Sequence, residues 1–376
     1  MAGLYLHIPF CNKKCLYCDF FSGNQLYLID NYVDALIKEM SLRHEYIEDS
    51  FLDTIYFGGG TPSLLSEIHL AKLFSSIHKN FRVRSDAEIT IECNPENINM
   101  TYVDYLFSMG INRISLGIQF LNNAILEKYN RNHSKEVIFD ALEYIERSSF
   151  SNLSVDLIYS VPEIDQKEVS LSLNQLFNYN IKHVSAYSLT IASDTQLFWK
   201  IKAGIFKENN EDQFLSQYQV IYDFLVAKGF KQYEISNFAL EGFYSRHNLA
   251  YWNQIPYIGV GVSSHSYNHK SRQWNHKNIK KYIRDLSGSE GNVCYEVEQL
   301  SNNQIYNEYI ILKLRTFQGL SRNFISSNFD YNIINHFDTK MKLLKNRGHF
   351  IFENDLIIPK ESDLVISDFL ADILMY

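Results

Sequence analysis

The sequence lacks an excess of positive charge and lacks any long apolar run. Its 376 residues include 35 Lys and Arg against 43 Asp and Glu, a formal net charge of -8. Proteins that bind nucleic acid need a basic face for the phosphates, so this balance argues against such a partner. No apolar stretch approaches the roughly 20 residues that a membrane-spanning helix needs. With 46% hydrophobic residues, the chain is expected to be a globular cytoplasmic protein.

A basic targeting segment is also missing from the first ten residues, MAGLYLHIPF. Their apolar run is interrupted by His7 and Pro9. The pattern therefore predicts a buried strand rather than a signal peptide.

Cysteines are few, and their spacing is uneven. Three of the five, Cys11, Cys15 and Cys18, follow one another as C-x3-C-x2-C, and the other two are isolated. An odd number in this distribution argues against a secreted disulfide framework and favours metal ligation in a reducing compartment. Cys93 and Cys294 are expected to be small buried residues.

Strand-like segments alternate with segments of helical period over the first 230 residues. The strand candidates are 4–9, 53–60, 88–95, 113–119, 153–162 and 183–190. The helix candidates are 28–44, 66–79, 101–109, 134–147, 167–179 and 211–228. This order predicts an α/β fold with a parallel sheet, and six such units could form an open or incomplete barrel.

The pattern changes twice along the chain. From about residue 235 it becomes aromatic, His- and Asn-rich loops, and near 301 a helical segment returns. We therefore divide the chain into a core at 1–235, a connecting region at 236–300 and a smaller α+β domain at 301–376. The tail is expected to hold a helix near 333–346, two short strands and a last helix at 362–375.

Unusual residues fall at or near the carboxyl ends of the predicted strands. They are Cys11, Cys15 and Cys18; Gly58, Gly59, Gly60, Thr61 and Pro62; Glu92 and Asn94; Gln119; Asp156; and Tyr187 and Ser188. In barrels of parallel strands, active sites are built on that face.

The three clustered thiols suit an iron-sulfur cluster, because thiolate is the soft anionic ligand that iron prefers. A structural zinc ion normally needs a second ligand pair, which is missing, although His7 could be a fourth ligand. Three cysteines would leave one iron of a cubane cluster open to a small molecule. The glycines of FGGGTP could bring bare backbone to such a molecule, or could simply form a tight turn.

These motifs resemble the radical S-adenosylmethionine (SAM) superfamily. More closely, the chain resembles the branch that contains oxygen-independent coproporphyrinogen III oxidase and the heme chaperone HemW. The matching stretches are LYLHIPFCNKKCLYCDF, YFGGGTPSLL, TIECNP, RISLGIQF, NRNHS, VDLIYSVP, YEISNFA, RHNLAYW and YIGVGVSSHSY. The resemblance implies a partial (β/α)6 TIM-like barrel of the radical SAM type, followed by a HemN-like C-terminal domain.

The resemblance also implies roles for individual residues. Cys11, Cys15 and Cys18 would ligate a [4Fe-4S] cluster whose open iron binds SAM. The positions that match SAM-binding residues are Tyr5, Gly59, Gly60, Thr61, Glu92, Gln119, Arg131 and Asp156. Without the resemblance, Arg131 and Asp156 would be interpreted as structural ion-pairing residues.

Two features separate the chaperone from the oxidase. The oxidase carries a further cysteine two positions after the third, where this chain has Phe20. The chaperones carry an HNxxYW motif associated with heme binding, and here His247 begins HNLAYW. An imidazole is a normal heme ligand. Taken alone, a histidine in an aromatic loop is more often structural.

Two further features receive no assigned role. His265 is a second imidazole near the expected cofactor site. The segment 269–284 carries a local excess of positive charge, which could attract heme propionates or an anionic membrane surface, or could be a solvated helix face.

The sequence thus predicts a heme chaperone that binds a [4Fe-4S] cluster, SAM and heme. It would transfer heme to an unidentified acceptor protein, which could be membrane-associated. The alternative is an oxygen-independent coproporphyrinogen III oxidase, which would decarboxylate its substrate by radical SAM chemistry. A regulatory module that uses the cluster only to sense redox state is a third hypothesis.

Overall fold

A computed structural model of the chain describes residues 1–47, 51–288 and 291–376. Within these ranges, no helix combines the length and the apolar character that crossing a membrane requires.

Six parallel strands, paired in chain order, form the centre of the molecule. They are β1 Ala2–Ile8, β2 Phe51–Gly59, β3 Arg82–Cys93, β4 Arg113–Gln119, β5 Leu153–Tyr159 and β6 His183–Ser188. Leu4, Leu6 and Ile8 of β1 are completely buried, and Gly3 and His7 on the alternate positions are buried as well. A strand covered on both faces reads as a nearly continuous apolar run, which explains why these strands were predictable.

Helices connect successive strands, as the alternating pattern predicts. They are α1 Ile29–Arg43, α2 Glu67–Asn80, α3 Met100–Ser108, α4 Asn123–Lys128, α5 Lys135–Arg147 and α6 Gln166–Leu176, followed after β6 by α7 Gln196–Lys202 and α8 Glu211–Ala227. On α1, Val33, Leu36 and Met40 recur at helical spacing and are completely buried.

Short strands extend the sheet at both edges. On the β6 side lie β7 Lys231–Gln232 and β8 Asn237–Ala239, and on the β1 side lie β9 Tyr257–Val260, β10 His265–Tyr267, β11 Ser271–Asn275 and β12 Tyr295–Gln299. Two helices, α9 Arg246–Trp252 and α10 Ile279–Leu286, accompany them. The prediction of loops in this region was therefore wrong. Strand β9 pairs in parallel with the distant β1, a partner that the local sequence does not reveal.

A buried polar network fastens the β9–β11 extension to α1. Glu39 is completely buried, and its carboxylate accepts hydrogen bonds from Arg43, from Asn275 at 2.7 Å and from the backbone N–H of Gly261 at 2.8 Å. Arg43 also donates to Ser266 at 3.0 Å. The network fixes the position of β10, which contributes to the candidate site.

The C-terminal segment has a hydrophobic cluster of its own, which includes Tyr306, Phe337 and Leu370. Its elements are α11 Asn302–Leu314, β13 Leu320–Ser321, α12 Arg322–Asn328, α13 Tyr331–Lys345, β14 Phe350–Glu353, β15 Leu356–Pro359 and α14 Ser367–Leu374. The three strands form a separate antiparallel sheet. The boundaries near 235 and 300 remain predictions.

Candidate functional site

The loop after β1 carries the three clustered cysteines, and backbone hydrogen bonds hold it in place. The N–H of Cys11 donates to the carbonyl of Gly23 at 2.9 Å, and the N–H of Leu16 donates to the carbonyl of Tyr129 at 3.2 Å. Cys11, Cys15 and Cys18 are free thiols, each half-buried. The loop therefore presents its sulfurs at the carboxyl end of β1.

Two donors reach these sulfurs from outside the loop, Thr61 after β2 and Arg131 after α4. Thr61 Oγ1 lies 3.5 Å from Cys11 Sγ, and Arg131 Nη1 lies 3.4 Å from Cys15 Sγ. Burial raises the pKa of Cys18 to about 11. A coordinated metal ion deprotonates such a thiol, and donors of this kind stabilise the resulting negative charge.

In a cluster, the three cysteine sulfurs need not converge on one point. Within the described ranges, no three His, Cys, Asp or Glu side chains come close enough together to hold one metal ion. In a cubane cluster each thiolate binds a different iron, so the sulfurs surround the cluster instead of meeting at one point. His7, the possible fourth zinc ligand, is buried and uses both ring nitrogens in hydrogen bonds.

A cavity of about 480 Å³ opens beside the cysteine loop, and we call it the first cavity. The glycine turn at the end of β2 forms part of its wall. The N–H of Gly60 donates to the carbonyl of Ile8 at 2.9 Å, and a Cβ atom on Gly60 would lie 2.7 Å from the carbonyl oxygen of Phe10. Gly59 has a φ of +114°, which side chains rarely allow. FGGGTP is thus a tight turn packed closely against the backbone at the end of β1 and the start of the cysteine loop.

Two carboxylates line the first cavity. Glu92 accepts hydrogen bonds from the N–H of Gly59 at 3.0 Å and from the Tyr56 hydroxyl at 2.9 Å. Burial, and then the charge of Asp156, raises the pKa of Glu92 from 4.5 to about 7. Burial also raises the pKa of Asp156, which accepts from Ser115 Oγ at 3.1 Å. Such carboxylates can accept hydrogen bonds from the hydroxyls of a sugar.

Gln119, at the end of β4, and Arg131, after α4, complete this wall. Besides Cys15, Arg131 donates to the carbonyl of Gly117 at 2.7 Å and to Asn94 at 3.1 Å, while its Nε has no hydrogen-bond partner among the described residues. The β4–β5 register shifts between Gly117 and Gln119, and Gln119 adopts a φ of +66°. None of the described residues forms an ion pair with Arg131 or Asp156, and the roles of these two side chains remain predictions.

Seven of the eight predicted SAM-binding residues line the first cavity together with the three cysteines. They are Gly59, Gly60, Thr61, Glu92, Gln119, Arg131 and Asp156. The eighth, Tyr5, lines a neighbouring second cavity of about 560 Å³. The two cavities share Asp19, Phe20, Tyr56 and Glu92 in their walls.

The second cavity is rich in aromatic and imidazole side chains. Its aromatic members are Tyr5, Phe20, Phe21, Tyr56, Tyr251, Tyr257 and Tyr267, and its histidines are His7, His247 and His265. Phe20, the residue that replaces the oxidase cysteine, is 63% exposed. A large exposed aromatic ring between two cavities is available to pack against a ligand.

His247, the predicted heme ligand, is one of the residues that line this cavity. It is 1% exposed, and burial lowers its pKa to about 3. Its Nδ1 lies 2.7 Å from Thr54 Oγ1 and its Nε2 lies 2.8 Å from the Tyr251 hydroxyl. Both nitrogens therefore have partners, and ligation of iron would require the loss of one of them.

Sequence reasoning missed several residues of the second cavity. Tyr257 and Tyr267 lie on strands that were expected to be loops. Arg272 and Lys277 also line it, and both lie in the basic segment 269–284, so local charge was the available signal. Cys294 was expected to be buried, but it is half-buried and hydrogen-bonded to Asp285.

Comparison with known proteins identifies the family. Residues 5–176 match the family model of the Radical SAM superfamily. A heme chaperone HemW from Lactococcus lactis subsp. lactis is 34% identical over 320 residues, which cover 84% of this chain and 82% of that protein. The chain belongs to the HemW family. A second HemW, from Bacillus subtilis, is 32% identical over 93% of this chain and 92% of its own length.

The fold of this HemW-family chain is also found among solved structures. The coproporphyrinogen III oxidase HemN from Escherichia coli matches with a TM-score of 0.85 at 23% identity, covering 100% of this chain and 90% of that one. The predicted α/β fold of the radical SAM type is confirmed. Membership of the Radical SAM superfamily implies a [4Fe-4S] cluster and SAM, and the residues of the first cavity fit both groups.

Proposed function

We propose that this chain binds heme and delivers it to an acceptor protein, on a scaffold that holds a [4Fe-4S] cluster and SAM. The proposal is carried by one observation: an aromatic, imidazole-lined cavity adjoins the cavity that contains the three cysteines. A porphyrin needs a broad apolar surface, a nitrogen ligand for iron and cations for its propionates. The second cavity contains all three.

The first cavity is the proposed site of the cluster and SAM. Cys11, Cys15 and Cys18 would hold the cluster, and the carboxylates of Glu92 and Asp156 would bind hydroxyls of the nucleoside. Gly59, Gly60 and Thr61 would meet the methionyl end, while Gln119 and Arg131 would bind polar edges. A cluster of this type supplies one electron to bound SAM. Tyr5 remains a proposed SAM residue, although it opens into the second cavity.

His247 belongs to the proposed heme site by its place in HNLAYW. In the structure it supports the cavity wall through Tyr251. Ligation of heme iron by His247 would therefore require the Tyr251 hydroxyl to leave Nε2. That requirement can be tested separately from heme binding itself.

The proposal names heme and a heme-accepting protein as partners, and the relatives that are called heme chaperones support it. The likeness to HemN supports a shared fold only, since the identity is 23%. Phe20 stands where the oxidase resemblance calls for a cysteine, and a phenyl ring cannot perform thiolate chemistry.

One preparation tests the function. The cluster is reconstituted anaerobically, heme is titrated by its absorption band, and turnover of coproporphyrinogen III is measured on the same sample. We expect stoichiometric heme binding without turnover of the porphyrinogen. Robust turnover with no stoichiometric heme binding would overturn the chaperone proposal in favour of the oxidase.

A further inference from the structure

The three histidines of the second cavity differ in the availability of their ring nitrogens. His7 uses Nδ1 towards the Tyr5 hydroxyl at 3.0 Å and Nε2 towards the carbonyl of Phe21 at 2.9 Å. His247 is similarly engaged by Thr54 and Tyr251. Both side chains are buried, at 4% and 1% exposure. Neither presents a free lone pair to the cavity.

His265 is different. It is exposed at the start of β10, and none of the described residues forms a hydrogen bond with its ring nitrogens. Its ring stacks on Trp274, its partner across the β10–β11 pair, with centroids 6.0 Å apart. Burial, and then the charges of Lys277 and Arg272, lowers the pKa of His265, which favours the neutral imidazole. A neutral imidazole with a free nitrogen is the form that binds iron.

We propose that His265 supplies the imidazole that binds heme iron in the second cavity, and that Lys277 binds a heme propionate. This inference rests on the heme binding proposed above and specifies the ligand for that same site.

The charges around the cavity set the orientation of the heme. Lys277 is exposed and has no ion-pair or hydrogen-bond partner within the described ranges, whereas Arg272 is already paired with Glu308 at 2.7 Å. Asp19 lies in the wall shared with the first cavity. Because carboxylates repel propionates, the propionates point away from the cluster and towards Lys277.

The apolar part of the porphyrin is matched by the remaining wall. Phe20 lies at the boundary of the two cavities. Tyr257 lies on β9 and Tyr267 on β10, and α11 contributes Leu312. Helix α11 follows the strand extension in the chain, so the C-terminal segment helps to close the heme cavity. Rings of this kind supply flat contact area for a macrocycle.

An exposed ligand also suits delivery. During transfer, the bond between iron and the His265 nitrogen breaks while a bond to a ligand of the acceptor forms, with no change in the oxidation state of iron. A buried ligand such as His247 would first have to move out of its hydrogen bonds. The exposed position of His265 leaves iron accessible to the acceptor.

The test compares His265→Ala, His265→Cys and His247→Ala with the wild type. His78→Ala, an exposed histidine on α2, is the control. Heme is titrated into each protein, and the axial ligand is identified by electron paramagnetic resonance and by magnetic circular dichroism. We expect His265→Ala to lose the nitrogen-ligand signature and to regain it with added imidazole. His265→Cys should show a thiolate signature, and His78→Ala should keep the wild-type spectrum.

Lys277→Ala tests the proposed contact between Lys277 and a heme propionate. We expect heme affinity to fall by about threefold to tenfold with an unchanged axial signature. The ligand assignment is overturned if His265→Ala keeps the wild-type spectrum, or if the signature is lost in His247→Ala and kept in His265→Ala. Failure of the wild type to bind heme would instead overturn the proposed function, and the ligand assignment with it.

Discussion

The hydroxyl of Tyr251 lies 2.8 Å from Nε2 of His247, four residues earlier on α9. Side chains at this spacing lie on the same face of a helix, so the HNxxYW pattern builds this contact by itself. Helix α9 begins against Glu88, which accepts from the N–H of His247 at 2.9 Å. The motif therefore has a structural role in this chain, whatever role it has towards heme.

Removal of the Tyr251 hydroxyl tests that structural role. Tyr251→Phe leaves a buried imidazole nitrogen without its partner, and we expect the free energy of unfolding to fall by about 1 to 3 kcal/mol. Urea denaturation measures this change. Tyr27→Phe is the control, because Tyr27 is 72% exposed. A heme affinity that rises in Tyr251→Phe would indicate that the freed His247 binds iron.

The buried carboxyl of Glu92 gives the protein a pH-dependent stability. Its pKa is about 7 in the folded protein against 4.5 ordinarily, so the folded state binds more protons than the unfolded state between these values. The contribution of Glu92 to stability therefore falls as the pH rises from about 4.5 to 7. The difference in the free energy of unfolding between Glu92→Gln and the wild type should therefore shift by about 2 to 3 kcal/mol in favour of the variant as the pH rises from 5 to 8. Urea unfolding of both proteins at pH 5 and pH 8 measures this change. The same difference between variant and wild type at the two pH values would contradict the raised pKa of Glu92.

The cluster assignment makes a prediction about the central cysteine. Cys15→Ser removes one thiolate and the contact from Arg131, so we expect anaerobic reconstitution to give no stable iron-sulfur absorption. Cys294→Ser is the control, since Cys294 contacts Asp285 and Lys281 away from the first cavity. Iron and sulfide contents are measured in both variants. Wild-type contents in Cys15→Ser would disprove the ligand assignment.

The exposed ring of Phe20 allows a test of the proposed heme site. Because it is 63% exposed, Phe20→Ala is expected to change the free energy of unfolding by less than about 0.5 kcal/mol. Loss of a ring that packs on heme should weaken heme binding by about 5-fold to 30-fold. Phe369→Ala, at 55% exposure on α14, is the matched control for a heme titration. Equal affinities of the two variants would remove Phe20 from the site.

The parts of the fold that the sequence could predict are those with a local signal. The stretch RISLGIQ at 113–119 coincides with β4, Arg113–Gln119, because a doubly covered strand must be apolar throughout. Strands β9, β10 and β11 have three to five residues each and include Ser, Asn, Gln and Arg. Their pairing depends on β1 and on the buried Glu39, which lie more than 200 residues away in the chain.

The two cavities also differ in how far the sequence could predict them. The first cavity was predictable because its residues lie in short motifs at successive strand ends, and all three cysteines line it. The second cavity was predictable only in part, through Tyr5 and His247, because it is formed where β1, α9, β10 and α11 meet. The availability of His265, and the engagement of His247, depend on hydrogen bonds that the sequence does not reveal.

The buried pair of Glu39 and Arg43 gives a prediction about the strand extension as a whole. Glu39→Ala leaves the 8%-exposed Arg43 without its counter-ion and removes an acceptor for Gly261 and Asn275. We expect the free energy of unfolding, measured by urea denaturation, to fall by about 3 to 5 kcal/mol in Glu39→Ala. It should fall by less in the double variant Glu39→Leu, Arg43→Met. Glu143→Ala removes an exposed pair of the same helical spacing and should cost less than about 0.5 kcal/mol. Equal effects at the two sites would show that the network does not hold β9–β11 in place.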